Sequence, residues 1–345
     1  MSNLNPNLED TLQTRRPHER SVDDFVEGIL EGDRVILSQA ITLVESTRTE
    51  HQQKGQAIID RCLPHTGDSI RIAITGVPGV GKSTFIEALG MRLIDHGRHL
   101  AVLAVDPTSE RTKGSILGDK TRMGALASSD NAFIRPSPTA GSLGGVARKT
   151  RETILLCEAA GFDTVFVETV GVGQSETTVH SMVDFFLLLA LAGAGDELQG
   201  IKRGIVEMAD AIVINKADGK NQQAAQRAQS DYQNALHLFP PTESGWTPPV
   251  LTCSALTGDG IAAVWDTVER YRAHAESTGY LQTRRQRQAR YWMHQTIEHR
   301  LKEDFFGHPD VKAAIDAIES EVMDGSTSSF AAAERLIRIY RSADS

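Results

Sequence analysis

The chain has 345 residues, and its 36 Lys and Arg against 45 Asp and Glu leave a formal charge of −9. Hydrophobic residues at 40% and charged residues at 23% are ordinary for a globular protein with length for roughly two domains. The acidic balance argues against general nucleic-acid binding, and three scattered cysteines, Cys62, Cys157 and Cys253, argue for buried thiols in a reducing compartment rather than disulfides or structural zinc.

Residues 1 to about 20 are polar, interrupted by Pro6 and Pro17, and read as a loose tail without the apolar stretch of a secretory signal. From Asp23 to Leu63 the apolar positions recur at helical spacing and predict three helices, broken at Gly32-Asp33 and at Arg48–Lys54. Short β-rich runs then alternate with helical stretches. The predicted strands are Ile70–Thr75, Leu100–Val105, Ala132–Ile134, Thr164–Glu168, Val183–Leu189, Ala211–Asn215 and Val250–Cys253. The predicted helices between them are Lys82–Ile94, Leu143–Ala160, Ile201–Ala209 and Gln222–Leu238. This pattern predicts an α/β fold with an open, mostly parallel sheet wrapped by helices. Pro107–Asn131 is a long connection of the kind that carries function. Beyond Asp259 the pattern is helical throughout: Ile261–Arg272, Leu281–Phe305, Val311–Met323 and Phe330–Ile339. The expected organisation is a tail and helical segment over 1–63, an α/β core over 64–257 and a helical region over 258–345. The longest apolar run, Phe185–Ala192, is far short of the about 20 residues that span a bilayer, so a cytoplasmic protein without membrane attachment is expected.

Gly76-Val77-Pro78-Gly79-Val80-Gly81-Lys82-Ser83 fits G-x-x-x-x-G-K-[ST], after a predicted strand and opening a predicted helix. In that setting Gly79, Val80, Gly81, Lys82, Ser83 and Thr84 would cradle phosphates. Lys82 would reach the β- and γ-phosphates, and Ser83 would ligate Mg²⁺. Asn215-Lys216-Ala217-Asp218 fits N-K-x-D at the end of another strand. A carboxylate at Asp218 can accept from both guanine N1–H and its exocyclic amine, which adenine lacks, so GTP or GDP is the expected ligand. Lys216 would lie along the base, and Asn215 would tie this loop to the phosphate loop. Ser254-Ala255-Leu256 matches the short loop whose backbone N–H meets guanine O6. All three motifs fall at strand C-terminal ends, the ligand edge of an open α/β sheet.

Glu168-Thr169-Val170-Gly171 resembles a D-x-x-G switch with Glu for Asp, so Gly171 would sense the γ-phosphate. Glu168 and Asp106, each at a strand end, are candidate Mg²⁺-shell carboxylates. Val172 stands where Ras-like enzymes carry the water-positioning Gln, and Gln174 is displaced by two residues. Either Gln174 or a partner residue would position the water, and slow intrinsic hydrolysis is expected.

Longer strings add specificity: Val105-Asp106-Pro107, Ser115–Met123, Ile134–Pro138, Glu168–Glu176, Gly193–Lys202 and Asn215–Gly219. With these the chain resembles the MeaB/MMAA-type GTPases, also filed as ArgK, from about residue 24 to the end and least over the last 90 residues. The resemblance implies a P-loop GTPase with a C-terminal helical dimerisation arm. It implies a homodimeric chaperone that gates cofactor loading and protects an adenosylcobalamin-dependent acyl-CoA mutase, of methylmalonyl-CoA, isobutyryl-CoA or 2-hydroxyisobutyryl-CoA type. It matches Asp106, Asp119 and Glu168 to the family's Mg²⁺ and switch acids, and Gly193–Lys202 to a loop that couples nucleotide state to the mutase. Ala192 departs from the family's usual Pro. Nickel-insertion relatives carry His- or Cys-rich tracts, and this chain has none, so no transition-metal delivery is expected. The ArgK label also implies a second reading, a kinase for a small molecule or transport protein. The basic stretch Arg284–Arg290 reads as a solvated helix face with Tyr291, Trp292 and Ile297 turned to a neighbouring helix, and Trp246 as a loop anchor.

Overall fold

The computed structural model describes residues 20–105, 123–136, 143–169, 176–192 and 203–343. The chain divides into two compact units, Met1–Arg285 and Gln286–Ser345.

The larger unit opens with three helices, α1 (Val22–Leu30), α2 (Arg34–Glu45) and α3 (Thr49–Cys62). The starts of α1 and α2 are written in the sequence, whereas α3 begins at Thr49 without a side-chain cap, so the predicted break over Arg48–Lys54 is mostly helix. Ser21 and Asp24 exchange side-chain and backbone hydrogen bonds in a capping box, and Asp33 accepts from Val35 and Ile36. Phe25, Ile29, Leu37, Ile41, Val44 and Ile58 are buried on their apolar faces.

A seven-stranded parallel sheet follows, in the order β3-β2-β4-β1-β5-β6-β7. The strands are β1 (Ile70–Gly76), β2 (Leu100–Val105), β3 (Ala132–Arg135), β4 (Thr164–Thr169), β5 (Phe185–Leu191), β6 (Ala211–Asn215) and β7 (Val250–Thr252). The inner strands are buried along almost their whole length and are mostly apolar, with polar residues such as Arg71 in β1 and Glu168 in β4, which is why each could be located in the sequence. The helices of this unit's core are α4 (Lys82–Asp95), α5 (Gly124–Ala127), α6 (Leu143–Ala159), α7 (Glu176–His180), α8 (Arg203–Met208), α9 (Gln222–Leu236) and α10 (Ile261–Ser277). Two short ones were not foreseen: α5, inside the predicted Pro107–Asn131 connection, and α7. Four or five residues carry too little periodicity to be read.

β5 begins two residues later than predicted. Asp184 is buried, and its carboxylate accepts the Arg71 N–H at 2.9 Å, so the apolar ladder starts at Phe185, level with Ile72. Trp246 is a loop anchor: its indole N–H donates to the Asp210 carbonyl at 2.9 Å and its ring meets Tyr271 edge-on at 5.5 Å.

The last long helix of the core, α11 (Tyr280–Gly307), begins in this unit and corrects the reading of Arg284–Arg290. Arg284 and Arg285 are not on a solvated face. Arg285 grips Asp184 through two bonds of 2.8 and 2.6 Å, and Arg284 Nη1 lies 3.4 Å from Asp210. Arg71 pairs with Glu158 at 2.7 and 2.9 Å. These three pairs are buried or nearly so. Removing one partner of such a pair strands a buried charge, typically at about 3–5 kcal/mol. Arg287 and Arg290, by contrast, are exposed as expected.

In the smaller unit, α12 (Pro309–Met323) and α13 (Ser329–Ala343) pack on each other, with Val311, Ile318 and Ala332 buried and an Arg335–Glu321 ion pair at 2.8 Å. On its part of α11, Trp292 is buried, but Tyr291 and Ile297 are exposed rather than turned inward. Met293, Ile297 and Leu301 form an exposed apolar stripe at four-residue spacing.

All three cysteines are buried and unpaired. Burial pushes the Cys253 thiol up to about 12 and raises Cys62 and Cys157 as well, so all three stay protonated. Among the described residues, no helix is long and apolar enough to cross a membrane.

Candidate nucleotide site

The C-terminal ends of β1, β4, β6 and β7 lie along one edge of the sheet, because every strand is parallel. β1 is central, and the chain turns from its end directly into the loop Gly76–Gly81 and then α4. This is where an open α/β sheet places a ligand.

The loop is shaped by backbone that side chains resist. Gly79 and Gly81 have φ of 81° and 95°. At Gly81 a Cβ would sit 2.9 Å from the Asn215 amide nitrogen. Gly81 also accepts the first helical bond of α4, from Phe85 N–H at 2.9 Å. The N–H groups of a helix's first turn have no partner within the helix, a setting that favours anions. Gly81→Ala is expected to cost about 1–3 kcal/mol in stability from strain alone and to weaken nucleotide binding at least tenfold. Denaturant titration and fluorescent-nucleotide binding would check this, and unchanged affinity would show that the close approach is dispensable.

Lys82 donates to the carbonyls of Gly76 at 2.8 Å and Val77 at 3.3 Å. Burial pulls its ammonium below the ordinary lysine value, and the Glu168 carboxylate partly opposes this. Ser83 Oγ lies 3.3 Å from Glu168 Oε1. Ser83 and Glu168 therefore present hard oxygen donors side by side, a set that suits Mg²⁺. Among the described residues there is no cluster of three or more His, Cys, Asp or Glu able to hold a metal. Thr84 is exposed at the same turn.

The base-side loops are wired to the phosphate loop. The buried Asn215 donates from Nδ2 to the Val80 carbonyl at 2.9 Å. Its Oδ1 accepts from the Ala255 N–H at 3.2 Å and from the Cys253 thiol at 3.5 Å, so the amide is oriented from both ends. Lys216 has φ of 58°, the one positive value outside glycine among the described residues, and its Nζ donates to the Gly79 carbonyl at 2.8 Å. Strained backbone of this kind gathers at functional sites. Ser254 Oγ donates to Asp218 Oδ2 at 2.6 Å, and Ala217 N–H donates to the Cys253 carbonyl at 2.9 Å. Asp218 thus keeps oxygen lone pairs for a ligand while its carboxylate is held in place. Leu256 is exposed beside it.

Two contacts were not legible in the sequence. The Cys253 thiol on Asn215 is one. The other joins the buried hydroxyls of Thr75 and Thr169 at 2.8 Å, tying the end of β4 to the end of β1. In each pair one member, Cys253 or Thr75, stands outside every motif, and the register of neighbouring strands brings the residues together. Asp106, Asp119, Gly171 and Gln174, and the segment Gly193–Lys202, lie outside the described residues.

The family model for "Methylmalonyl Co-A mutase-associated GTPase MeaB" matches residues 37–310. The chain belongs to the MeaB family. It is a GTPase of the P-loop class, with guanine-nucleotide binding as part of that identity. A Caulobacter vibrioides protein named putative GTPase is 52% identical over 92% of this chain and 98% of its own. The Escherichia coli GTPase ArgK is 47% identical over 85% of this chain and 88% of its own. The mouse methylmalonic aciduria type A homolog, a mitochondrial protein, is 44% identical over 94% of this chain and 80% of its own. Among solved structures, a protein named LAO/AO transport system kinase superposes with a TM-score of 0.73 at 38% identity, covering 94% of this MeaB-family chain and 99% of its own.

Proposed function

We propose that this MeaB-family GTPase is the nucleotide switch that gates cofactor loading and protects an adenosylcobalamin-dependent acyl-CoA mutase. The observation that carries the reading is the family match itself. It names a methylmalonyl-CoA mutase association and spans residues 37–310, from the helical cap through the nucleotide site into the C-terminal helices. The mouse relative, named for methylmalonic aciduria, supports the same client. Methylmalonyl-CoA mutase is the default partner, with isobutyryl- and 2-hydroxyisobutyryl-CoA mutases as close variants.

In this reading Gly79–Thr84 hold the phosphates and Lys82 neutralises charge that develops on the transferred group. Ser83 and Glu168, with Asp106 and Asp119, hold Mg²⁺, which supplies further neutralisation of the β- and γ-oxygens when bound. Gly171 senses the γ-phosphate, and Gln174 or a mutase residue positions the water. Asn215, Lys216, Asp218 and Ser254–Leu256 select guanine. Intrinsic turnover is slow. Residues 107–122, 172–176 and 193–202 carry nucleotide state to the mutase.

The protein works as a homodimer through residues 258–345, and the exposed Met293, Ile297 and Leu301 stripe supports that interface. Three buried, unpaired cysteines support a reducing cytoplasmic setting. The name of the transport-kinase structure keeps one competing reading in view, phosphoryl transfer to an acceptor other than water. Co-elution with a purified adenosylcobalamin-dependent mutase tests the proposal. A complex whose stability differs between a non-hydrolysable GTP analogue and GDP is expected, and no complex with any of the three mutases would overturn it.

A further inference from the structure

Two elements flank residues 170–175 and are anchored differently. On one side, β4 ends at Thr169, the second residue of the E-x-x-G stretch, with its hydroxyl on Thr75, one residue before the phosphate loop. Downstream comes α7, whose Val179 is fully buried. Its last residue, His180, meets Phe186 edge-on at 5.6 Å, and its Nε2 lies 3.1 Å from Arg284 Nη2.

Arg284 is a junction rather than a solvated charge. Its Nη1 donates to the Tyr271 hydroxyl at 3.1 Å and faces Asp210 at 3.4 Å. The Asp210 carboxylate in turn accepts the Phe186 N–H at 2.9 Å. The neighbouring Arg285 is bonded to Asp184 and to the carbonyls of Ser69 and Gly67. The first turns of α11 are therefore fixed to the opposite end of the sheet from the nucleotide loops. Of the partners of Arg284, His180 alone sits on α7, the first described element after the E-x-x-G stretch in the sequence. Burial, and secondarily the Arg284 charge, pull the His180 imidazole down to about 4, so at neutral pH it is an uncharged acceptor for the guanidinium.

We propose that His180 and Arg284 are positioning residues for GTP hydrolysis: their contact docks α7 onto the first turns of α11 and so sets the hydrolytic rate from outside the nucleotide pocket. The proposal rests on the GTPase activity alone and is independent of which mutase is the client. The guanidinium has several partners and is held at a fixed height. Anything that shifts α11 then shifts α7, and the coupling is reciprocal.

The test uses the full-length protein, three single variants and one double variant. His180→Phe keeps the ring volume and the edge contact with Phe186 but removes the acceptor. His180→Gln offers an amide oxygen in its place. Arg284→Lys keeps the charge and loses the fork. The expected result is a fall in kcat of about 3–30-fold for His180→Phe, with GDP affinity within about twofold of wild type. Partial recovery is expected in His180→Gln, and a His180→Phe/Arg284→Lys double variant should be no slower than the slower single variant. A purely structural role would lower melting temperature, GDP affinity and kcat together. A folded His180→Phe with unchanged kcat, or kcat losses that multiply in the double variant, would overturn the proposal. Should His180→Phe not fold, hydrogen exchange of the wild-type amides 177–180 decides instead. Protection that differs between a GTP analogue and GDP is expected, and identical exchange would overturn it.

Discussion

Asp218→Asn is expected to lower GTP affinity by about 10²–10⁴-fold and to raise affinity for xanthosine triphosphate. Guanine presents two adjacent donors, N1–H and the exocyclic amine, and a carboxylate can accept both as charge-assisted bonds worth roughly 1.5–3 kcal/mol each. In the structure Ser254 donates to Asp218 Oδ2 at 2.6 Å, which fixes the carboxylate without exhausting its lone pairs. An asparagine in this position keeps one oxygen for Ser254 and turns an N–H₂ toward the base. Donor then faces donor, and the carboxylate charge is gone. Xanthine carries a carbonyl where guanine carries the amine, so the match is restored for that base. Competition binding with guanosine, adenosine and xanthosine triphosphates reads the change directly. Retention of guanine preference in a folded variant would mean that Asp218 does not read the base.

Lys82→Ala is expected to reduce GTP turnover by about 10²–10³-fold or more, the usual effect of deleting one preorganised positive group at developing charge. Its effect on folding should be small, and in this respect it differs from Gly81→Ala. Burial holds the Lys82 ammonium below its ordinary value, a sign that the charge is poorly solvated where it sits. Its hydrogen bonds are to two backbone carbonyls of the loop, and the Glu168 carboxylate that it attracts keeps Ser83 Oγ beside it at 3.3 Å when the ammonium is removed. Denaturant midpoints within about 1 kcal/mol of wild type, beside the loss of turnover, would place Lys82 in the reaction rather than in the scaffold. A parallel collapse of stability would contradict that placement.

The motifs that the structure brings together at one sheet edge were legible because each is local. Gly79, Gly81, Lys82 and Ser83 lie within five consecutive positions, and Asn215 and Asp218 within four. The strands were legible for another reason: sheets covered on both faces demand continuous apolar runs, such as Phe185–Leu191. What escaped were contacts made by register and by distant pairing. Thr75 and Thr169 are 94 residues apart, and Asn215 and Cys253 are 38 apart. Arg284 and Arg285 misled for the same reason. In the string Arg-Arg-Gln-Arg-Gln they look solvated, and their carboxylate partners lie 74 and 101 residues upstream. Burying a charge is allowed only where a partner waits, and the partner is not in the local string. The helix α7 was missed because five residues are too few for a period.

The proposed function requires GTP hydrolysis by this chain to be coupled to a cobalamin-dependent mutase. The most direct measurement is the rate of phosphate release from GTP by the full-length protein, alone and with an adenosylcobalamin-dependent methylmalonyl-CoA mutase, with ATP as the control nucleotide. The predicted result is slow release from GTP alone, at least about tenfold acceleration by the mutase, and negligible release from ATP. A GTP rate that no mutase of the three types changes, or γ-phosphate appearing on an organic acceptor instead of in water, would contradict it.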